Sequence, residues 1–192
     1  KSTNKASVTS GQSGPRRQEA HGVPAMGPFF ISTTKNILLC MENLVKELIN
    51  LGYLKTPWII EAFRKIDRVD FVLPEYKDLA YENGPLPIGR GQTISQPLTV
   101  AFMLELLQPE AGNKILDVGS GSGWQSALLA HIVGEKGKII AIELIPELKK
   151  FGGKNVEKDG FKNLKLLSGN AKEGFLKEAP FDRIIAAASG EK

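Results

Sequence analysis

The chain has 192 residues, 42% of them hydrophobic and 24% charged, which is the composition of a soluble globular protein able to bury one real core. Its one cysteine, Cys40, rules out an internal disulfide and points to a reducing compartment, the cytoplasm, and no uninterrupted apolar run approaches the length of a membrane span. The net charge of +4 is concentrated in residues 1–25, with four bases against one acid; the remainder, 21 bases against 20 acids, lacks the footprint of a nucleic-acid-binding protein.

Residues 1–25 are rich in Ser, Gly, Gln and Pro and hold almost no large apolar side chains. They cannot offset their ordering entropy by burial, and they lack the apolar stretch of a secretory signal. A disordered tail or added leader is expected, with Met26 or Met41 as the natural start. Next, Met41, Leu44, Val45, Leu48 and Ile49 share one helical face that stops at Gly52. Thr56-Pro57 reads as an N-cap and first position of a second helix, whose apolar face is Ile59, Ile60, Phe63 and Ile66. Residues 74–97 carry Pro74, Pro85, Pro87 and Pro97 with Gly84, Gly89 and Gly91, so neither a long helix nor a central strand fits there. An irregular stretch of that length inside a compact domain is usually functional. Residues 26–97 are therefore expected to form a helical lobe plus a substrate and cofactor loop. Val100, Ala101, Met103, Leu104 and Leu107 then mark a further amphipathic helix.

From Lys114 the pattern alternates. Strands are predicted at Lys114–Val118, Lys138–Ile142, Leu164–Leu167 and Arg183–Ala187. Helices are predicted at Gln125–Val133 and Pro146–Lys158, with a weaker one around Ala171–Lys177. Such alternation gives an α/β fold, a parallel Rossmann-like sheet over residues 98–192 with helices on both faces.

Asp117-Val118-Gly119-Ser120-Gly121-Ser122-Gly123 falls where the first of these strands turns into a helix. Glycine lets the backbone bend sharply there and lets a ligand approach it closely, and the helix N-terminus beyond supplies unpaired N–H groups. A dinucleotide fingerprint spaces its glycines G-x-G-x-x-G; here the third comes one residue early and Trp124 follows it. Asp117 would repel a phosphate but accept from an ammonium group, and Glu143, just after the next strand, suits the two hydroxyls of a ribose. Together they point to S-adenosylmethionine rather than NAD. The bland alternative is a flexible Gly/Ser loop flanked by two exposed acids.

Pro87-Ile88-Gly89-Arg90-Gly91-Gln92-Thr93-Ile94-Ser95-Gln96-Pro97, with Asp117–Gly123 and Ala179-Pro180-Phe181-Asp182, resembles the protein-L-isoaspartate O-methyltransferase family. Asp67-Arg68, Phe71-Val72 and Ala186-Ala187-Ala188 fit it too, and the likeness runs from about Met41 to Ser189. The G-x-G-Q-T-I-S stretch is far more specific than the glycine loop, which most class I methyltransferases share.

The resemblance implies methyl transfer from S-adenosyl-L-methionine to the α-carboxylate of isoaspartyl residues in damaged proteins and peptides, with S-adenosyl-L-homocysteine as product. It implies Ser95 as the catalytic position, its hydroxyl orienting the substrate carboxylate; the alternative for Ser95 is a helix N-cap before Gln96-Pro97. It implies that Gln92, Thr93, Ile94, Ser95, Asp117, Gly119, Ser120, Gly121, Glu143 and Leu144 border the cofactor. Asn170-Ala171 stands where the family usually has Asp-Gly, so Asn170 either accepts from the adenine amino group without charge or is an ordinary loop residue. The lone His131 reads as structural and His21 falls in the tail; two histidines and one cysteine show no metal-ligand spacing, so no metal is expected. Lys149, Lys150, Lys154 and Lys158 read as a solvated helix face, and Trp124 as packing against the loop or the lobe.

The family's sheet has seven strands, and only four are legible here. A sheet truncated after its fourth strand is expected, with Arg183–Ala188 an open parallel edge. A complete chain would be monomeric; an incomplete one would pair at that edge. Two other readings stand beside the repair enzyme: another S-adenosylmethionine-dependent methyltransferase, and a non-catalytic cofactor- or protein-binding member of the family.

Overall fold

The computed structural model describes residues 35–171 and 175–188, with side chains from Cys40 onward. The tail expected over 1–25, Met26, Ser189 and residues 172–174 of the weak helix lie outside the described residues. No helix among them is long and apolar enough to cross a membrane.

Helix α1 (Lys35–Asn50) turns Met41, Leu44, Val45 and Leu48 into the core, with Ile49 at the edge of that stripe. Helix α2 (Pro57–Lys65) buries Ile59, Ala62 and Phe63. Thr56 holds the N-cap position of α2, as expected, but its side chain does not cap the helix. Its hydroxyl donates instead to Glu105 Oε2 at 2.7 Å, while the Lys55 and Thr56 N–H groups each donate to Glu105 Oε1 at 2.7 Å. A carboxylate on a distant helix offers more acceptor capacity than the neighbouring backbone requires, so the tertiary partner takes the hydroxyl.

After a 3-10 turn at Arg68–Phe71, the stretch expected to be irregular holds a second one, Pro74–Leu79, and an antiparallel hairpin of β1 (Leu86–Gly89) and β2 (Gln92–Ile94). Leu86, Ile88 and Ile94 point inward from it. Helix α3 (Pro97–Leu107) follows, capped at Gln96 and not at Ser95. One of its first free N–H groups is met from a distance, Leu98 N–H donating to Asn83 Oδ1 at 3.0 Å, and the Gln96 side chain holds the same residue, Nε2 donating to Asn83 O at 2.9 Å. The capping alternative for Ser95 is thereby removed.

The main sheet has four parallel strands in the order β5-β4-β3-β6: β3 (Lys114–Val118), β4 (Lys138–Glu143), β5 (Leu164–Ser168) and β6 (Arg183–Ala186). Beyond Lys138, β4 is buried along its whole length, the mark of a strand covered on both faces. One face carries helix α4 (Trp124–Val133), which buries every residue except His131 because it lies between the sheet and α2. Helix α5 (Pro146–Lys158) flanks it, with Lys150, Lys154 and Lys158 exposed as expected and Lys149 half-buried, although Lys158 also pairs with Asp70 at 3.4 Å. On the other face Leu116, Ile140 and Ile142 pack with Phe175 and Phe181. The chain returns to the far side of β3 to form β6, so the sheet has a switch point between those strands, and ligands in open α/β sheets bind outside the carboxyl ends at such a point.

Candidate functional site

A cavity of about 590 Å³ opens at the carboxyl ends of β3, β4 and β6. That size suits a small-molecule cofactor. One wall is the β3–α4 loop; another is the hairpin β1–β2 with the residues leading to α3.

The loop wall is backbone. Gly119 and Ser120 N–H groups both donate to Ile142 O, at 2.8 and 3.2 Å, which ties the loop to the end of β4. Gly119 has φ +81°, and a Cβ there would lie 2.8 Å from Ala188 Cβ. Gly123 has φ +88°, and a Cβ there would meet Val156 Cγ1 at 2.8 Å and Gly152 O at 3.1 Å. Only glycine lets the loop run so close to both β6 and α5.

The two acids read from the sequence part company. Glu143 lines the cavity, and its carboxylate bridges two loops: Oε2 accepts from Gly121 N–H at 2.8 Å and Oε1 from Ile145 N–H at 2.9 Å. Each oxygen keeps acceptor capacity. Asp117 is fully buried and does not line the cavity. Its Oδ1 accepts from Gln125 Nε2 at 2.8 Å and its Oδ2 from the Ser126 hydroxyl. The expectation that Asp117 borders the cofactor and takes its ammonium group directly is corrected: the strand pleat turns the side chain under α4, whose first turn supplies both donors. Burial pushes this carboxyl above its ordinary range; the bonds from Ser126 and Gln125 oppose that, and the charge of Glu143 adds to it.

Of the remaining expected residues, Gln92, Thr93, Ile94, Ser95, Gly119, Ser120, Gly121, Leu144, Asn170 and Ala171 all line the cavity. Ile94 is buried, Ser95 half-buried, and Leu144 exposed at the rim. Trp124 packs its ring edge-on to Phe63 at 5.5 Å and donates from Nε1 to Ile66 O at 3.4 Å, so it joins loop to lobe while also lining the cavity. Among the described residues no group of His, Cys, Asp and Glu is arranged to hold a metal ion.

Gln125 was not legible as a site residue. It lines the cavity while bound to Asp117, and its Oε1 is buried without a partner, as is the hydroxyl of Ser120. The one signal for it was its polarity, with that of Ser126, in the first turn of a mostly apolar helix. Arg68 was also passed over as part of a motif: wholly buried, it donates to the carbonyl of Ser95 at 3.1 Å. Arg90, at the hairpin tip, pairs with Glu147 in the first turn of α5, joining two stretches that line the cavity.

The sequence model of the Protein-L-isoaspartate(D-aspartate) O-methyltransferase (PCMT) family matches residues 40–192. A protein-L-isoaspartate O-methyltransferase of Methanopyrus kandleri is 46% identical over 148 residues, 77% of this chain and 66% of the relative. The one of Aeropyrum pernix is 45% identical over 151 residues, 78% of this chain and 58% of the relative. That of Ignicoccus hospitalis is 41% identical over 79% of this chain and 72% of its own length. The chain thus spans 58% to 66% of the length of the first two of these relatives. A solved protein-L-isoaspartate O-methyltransferase superposes with a TM-score of 0.69 at 28% identity, covering 76% of this chain and 47% of that one. A Plasmodium falciparum structure in complex with S-adenosyl-L-homocysteine gives a TM-score of 0.71 at 24% identity over 79% of this chain and 75% of its own, which speaks for the fold alone. The Rossmann-like α/β architecture expected from the sequence is the one these structures share.

Proposed function

This chain belongs to the protein-L-isoaspartate O-methyltransferase family, and on that premise we propose that it methylates the α-carboxylate of isoaspartyl residues in damaged peptides and proteins. The observation that carries the reading is the meeting, in one cavity, of Ser95 on the hairpin wall with Glu143 and the glycine loop on the other.

The residues present fit S-adenosyl-L-methionine. The cavity is lined by a carboxylate with spare acceptor capacity, and two buried polar atoms on lining residues, Ser120 Oγ and Gln125 Oε1, have no protein partner. When bound, this cofactor supplies an electrophilic sulfonium methyl group and leaves as S-adenosyl-L-homocysteine. Glu143 would take the ribose hydroxyls, and Gln92–Ser95, Gly119–Gly121, Leu144, Asn170 and Ala171 would enclose the nucleoside and its amino-acid end. Asp117 supports this from behind, by orienting Gln125 and Ser126. The substrate carboxylate is already ionised at neutral pH, so no strong base is required. The task left to the protein is to strip water from that carboxylate and aim it, and positioning alone can contribute about 7–11 kcal/mol. Ser95 Oγ donates a hydrogen bond to one carboxylate oxygen and leaves the other to attack. In this division of labour residues 26–97 receive the peptide and, through Gln92–Ser95, close over the cofactor that residues 98–192 hold.

The test is methyl incorporation from labelled cofactor into an isoaspartyl peptide and its normal aspartyl twin. Strong labelling of the first alone is expected; equal labelling of both would give the site to another class of methyl acceptor. A non-catalytic, cofactor-binding role has one observation in its favour, Asn170-Ala171 at the place of an acid and a glycine. Calorimetry that finds cofactor binding without turnover supports that second reading. The lone Cys40 supports a cytoplasmic home, and the near-balanced charge of residues 26–192 supports peptide rather than nucleic-acid partners.

A further inference from the structure

Arg68 is a cation in the core without a counter-ion among the described residues. None of its surface is exposed. Nη1 donates to Ala80 O at 2.8 Å and Glu82 O at 3.2 Å; Nη2 donates to Gly84 O at 2.9 Å and Ser95 O at 3.1 Å. The Trp124 ring lies 5.3 Å from the guanidinium carbon. Every one of these partners is neutral. Among the described residues no ion pair includes Arg68, and the adjacent Asp67 carboxylate accepts from Val69 N–H and the Tyr81 hydroxyl instead. Burial lowers its pKa to about 10, which leaves it charged at neutral pH.

Carbonyl dipoles solvate a charge without cancelling it, so the positive potential reaches beyond the four oxygens. Burying a cation this way is costly, since its desolvation is repaid only by neutral carbonyls. The charge sits one hydrogen bond behind Ser95, and the cavity wall itself contains no lysine or arginine among the described residues. Resting on the reading of Ser95 as the group that receives the methyl acceptor, we propose that Arg68 is a positioning residue that selects a carboxylate at that point, by tethering the Ser95 backbone and supplying the positive charge that the wall lacks.

The experiment compares, on the full chain with S-adenosyl-L-homocysteine present, binding of an isoaspartyl peptide with a free α-carboxylate and of the same peptide as its α-carboxamide. The wild type should prefer the carboxylate at least tenfold. Arg68→Gln should reduce that preference to about twofold or less, and Arg68→Lys, which keeps the charge, should retain most of it. Affinity for S-adenosyl-L-homocysteine should stay within about threefold throughout. If Arg68 only holds the fold, both peptides weaken together and the ratio stands, which overturns the inference. If Arg68→Gln does not fold, Arg68→Lys decides: a kept ratio with kcat at least fivefold lower supports the tether and charge together, and unchanged kcat or a lost ratio refutes them. A wild type indifferent to carboxylate and carboxamide sinks this inference and leaves the methylation reading in place. A wild type that prefers the carboxylate yet methylates isoaspartyl and aspartyl peptides alike sinks the repair assignment and leaves Arg68 its role.

Discussion

The two walls of the cavity are built by opposite means. The β3–α4 loop is held by its own backbone: its N–H groups bond Ile142 O and Glu143, and its glycines admit β6 and α5 at distances no Cβ would tolerate. The hairpin wall is held by side chains from elsewhere, with Arg68 behind Ser95, Asn83 at the start of α3 and Arg90 pairing with Glu147 at the tip. A wall made of backbone is rigid and generic, suited to a ligand shared by many enzymes. A wall made of tethered side chains can be retuned, suited to the substrate that distinguishes one enzyme from the next.

Substitutions should therefore fail differently on the two sides. The largest effect is expected at Gly123→Ala, where a positive φ combines with contacts of 2.8 and 3.1 Å; a loss of about 2–4 kcal/mol should appear in urea unfolding, and cofactor binding should go with it. Ser95→Ala removes a hydrogen bond to a charged group, about 1.5–3 kcal/mol, and should lower kcat about ten- to a hundredfold while S-adenosyl-L-homocysteine binds within about threefold of wild type. An equal loss of turnover and cofactor affinity would erase the distinction between the walls. Glu143→Gln offers one acceptor oxygen where Gly121 and Ile145 N–H groups need two, so calorimetry should show cofactor affinity about tenfold weaker with modest destabilisation.

Asp117→Asn sharpens the contrast through pH. The folded-state pKa of Asp117 lies above its ordinary value of 3.8, so the folded form holds its proton more tightly than the unfolded chain. Its contribution to stability is full below pH 3.8 and declines as pH rises towards the folded value, then stays level. The wild-type stability minus that of Asp117→Asn should therefore fall with rising pH over that window, and a difference that rises would mean the carboxylate is stabilised in place. The smallest effect belongs to Arg90→Ala. Both partners of that pair are more than half exposed, at 59% and 54%, so stability should change by about 0.5 kcal/mol or less and only at low salt.

Much of the backbone wall was legible in advance. The strand, glycine loop, helix, strand and terminal acid stand in order along the chain, and local rules of period and turn chemistry suffice to place them. The hairpin was not: β1 and β2 are short, Pro87 and Gly89 fall within β1, and Arg90 and Gly91 form the turn between them, so period-2 alternation never runs long enough to register. Thr56 looked like a capping side chain because a local rule sees the nearest free N–H group and not a carboxylate 49 residues away; Ser95 looked like one too, but the cap position falls one residue later, at Gln96.

The residues alone determined the parallel order of strands and helices, the position of the bend after β3 and the polar groups available on either side of it, because those depend on interactions between near neighbours. Only the folded molecule decided which acid faces the cavity. Asp117 and Glu143 stand at the ends of adjacent strands, but α4 begins directly over Asp117 and meets its carboxylate with side chains, whereas Glu143 finds only two N–H groups and stays available. The same holds for Arg68, whose lack of an ion pair among the described residues, with Asp67 beside it turned to Val69 and Tyr81, is a property of distance in space that spacing along the chain does not encode.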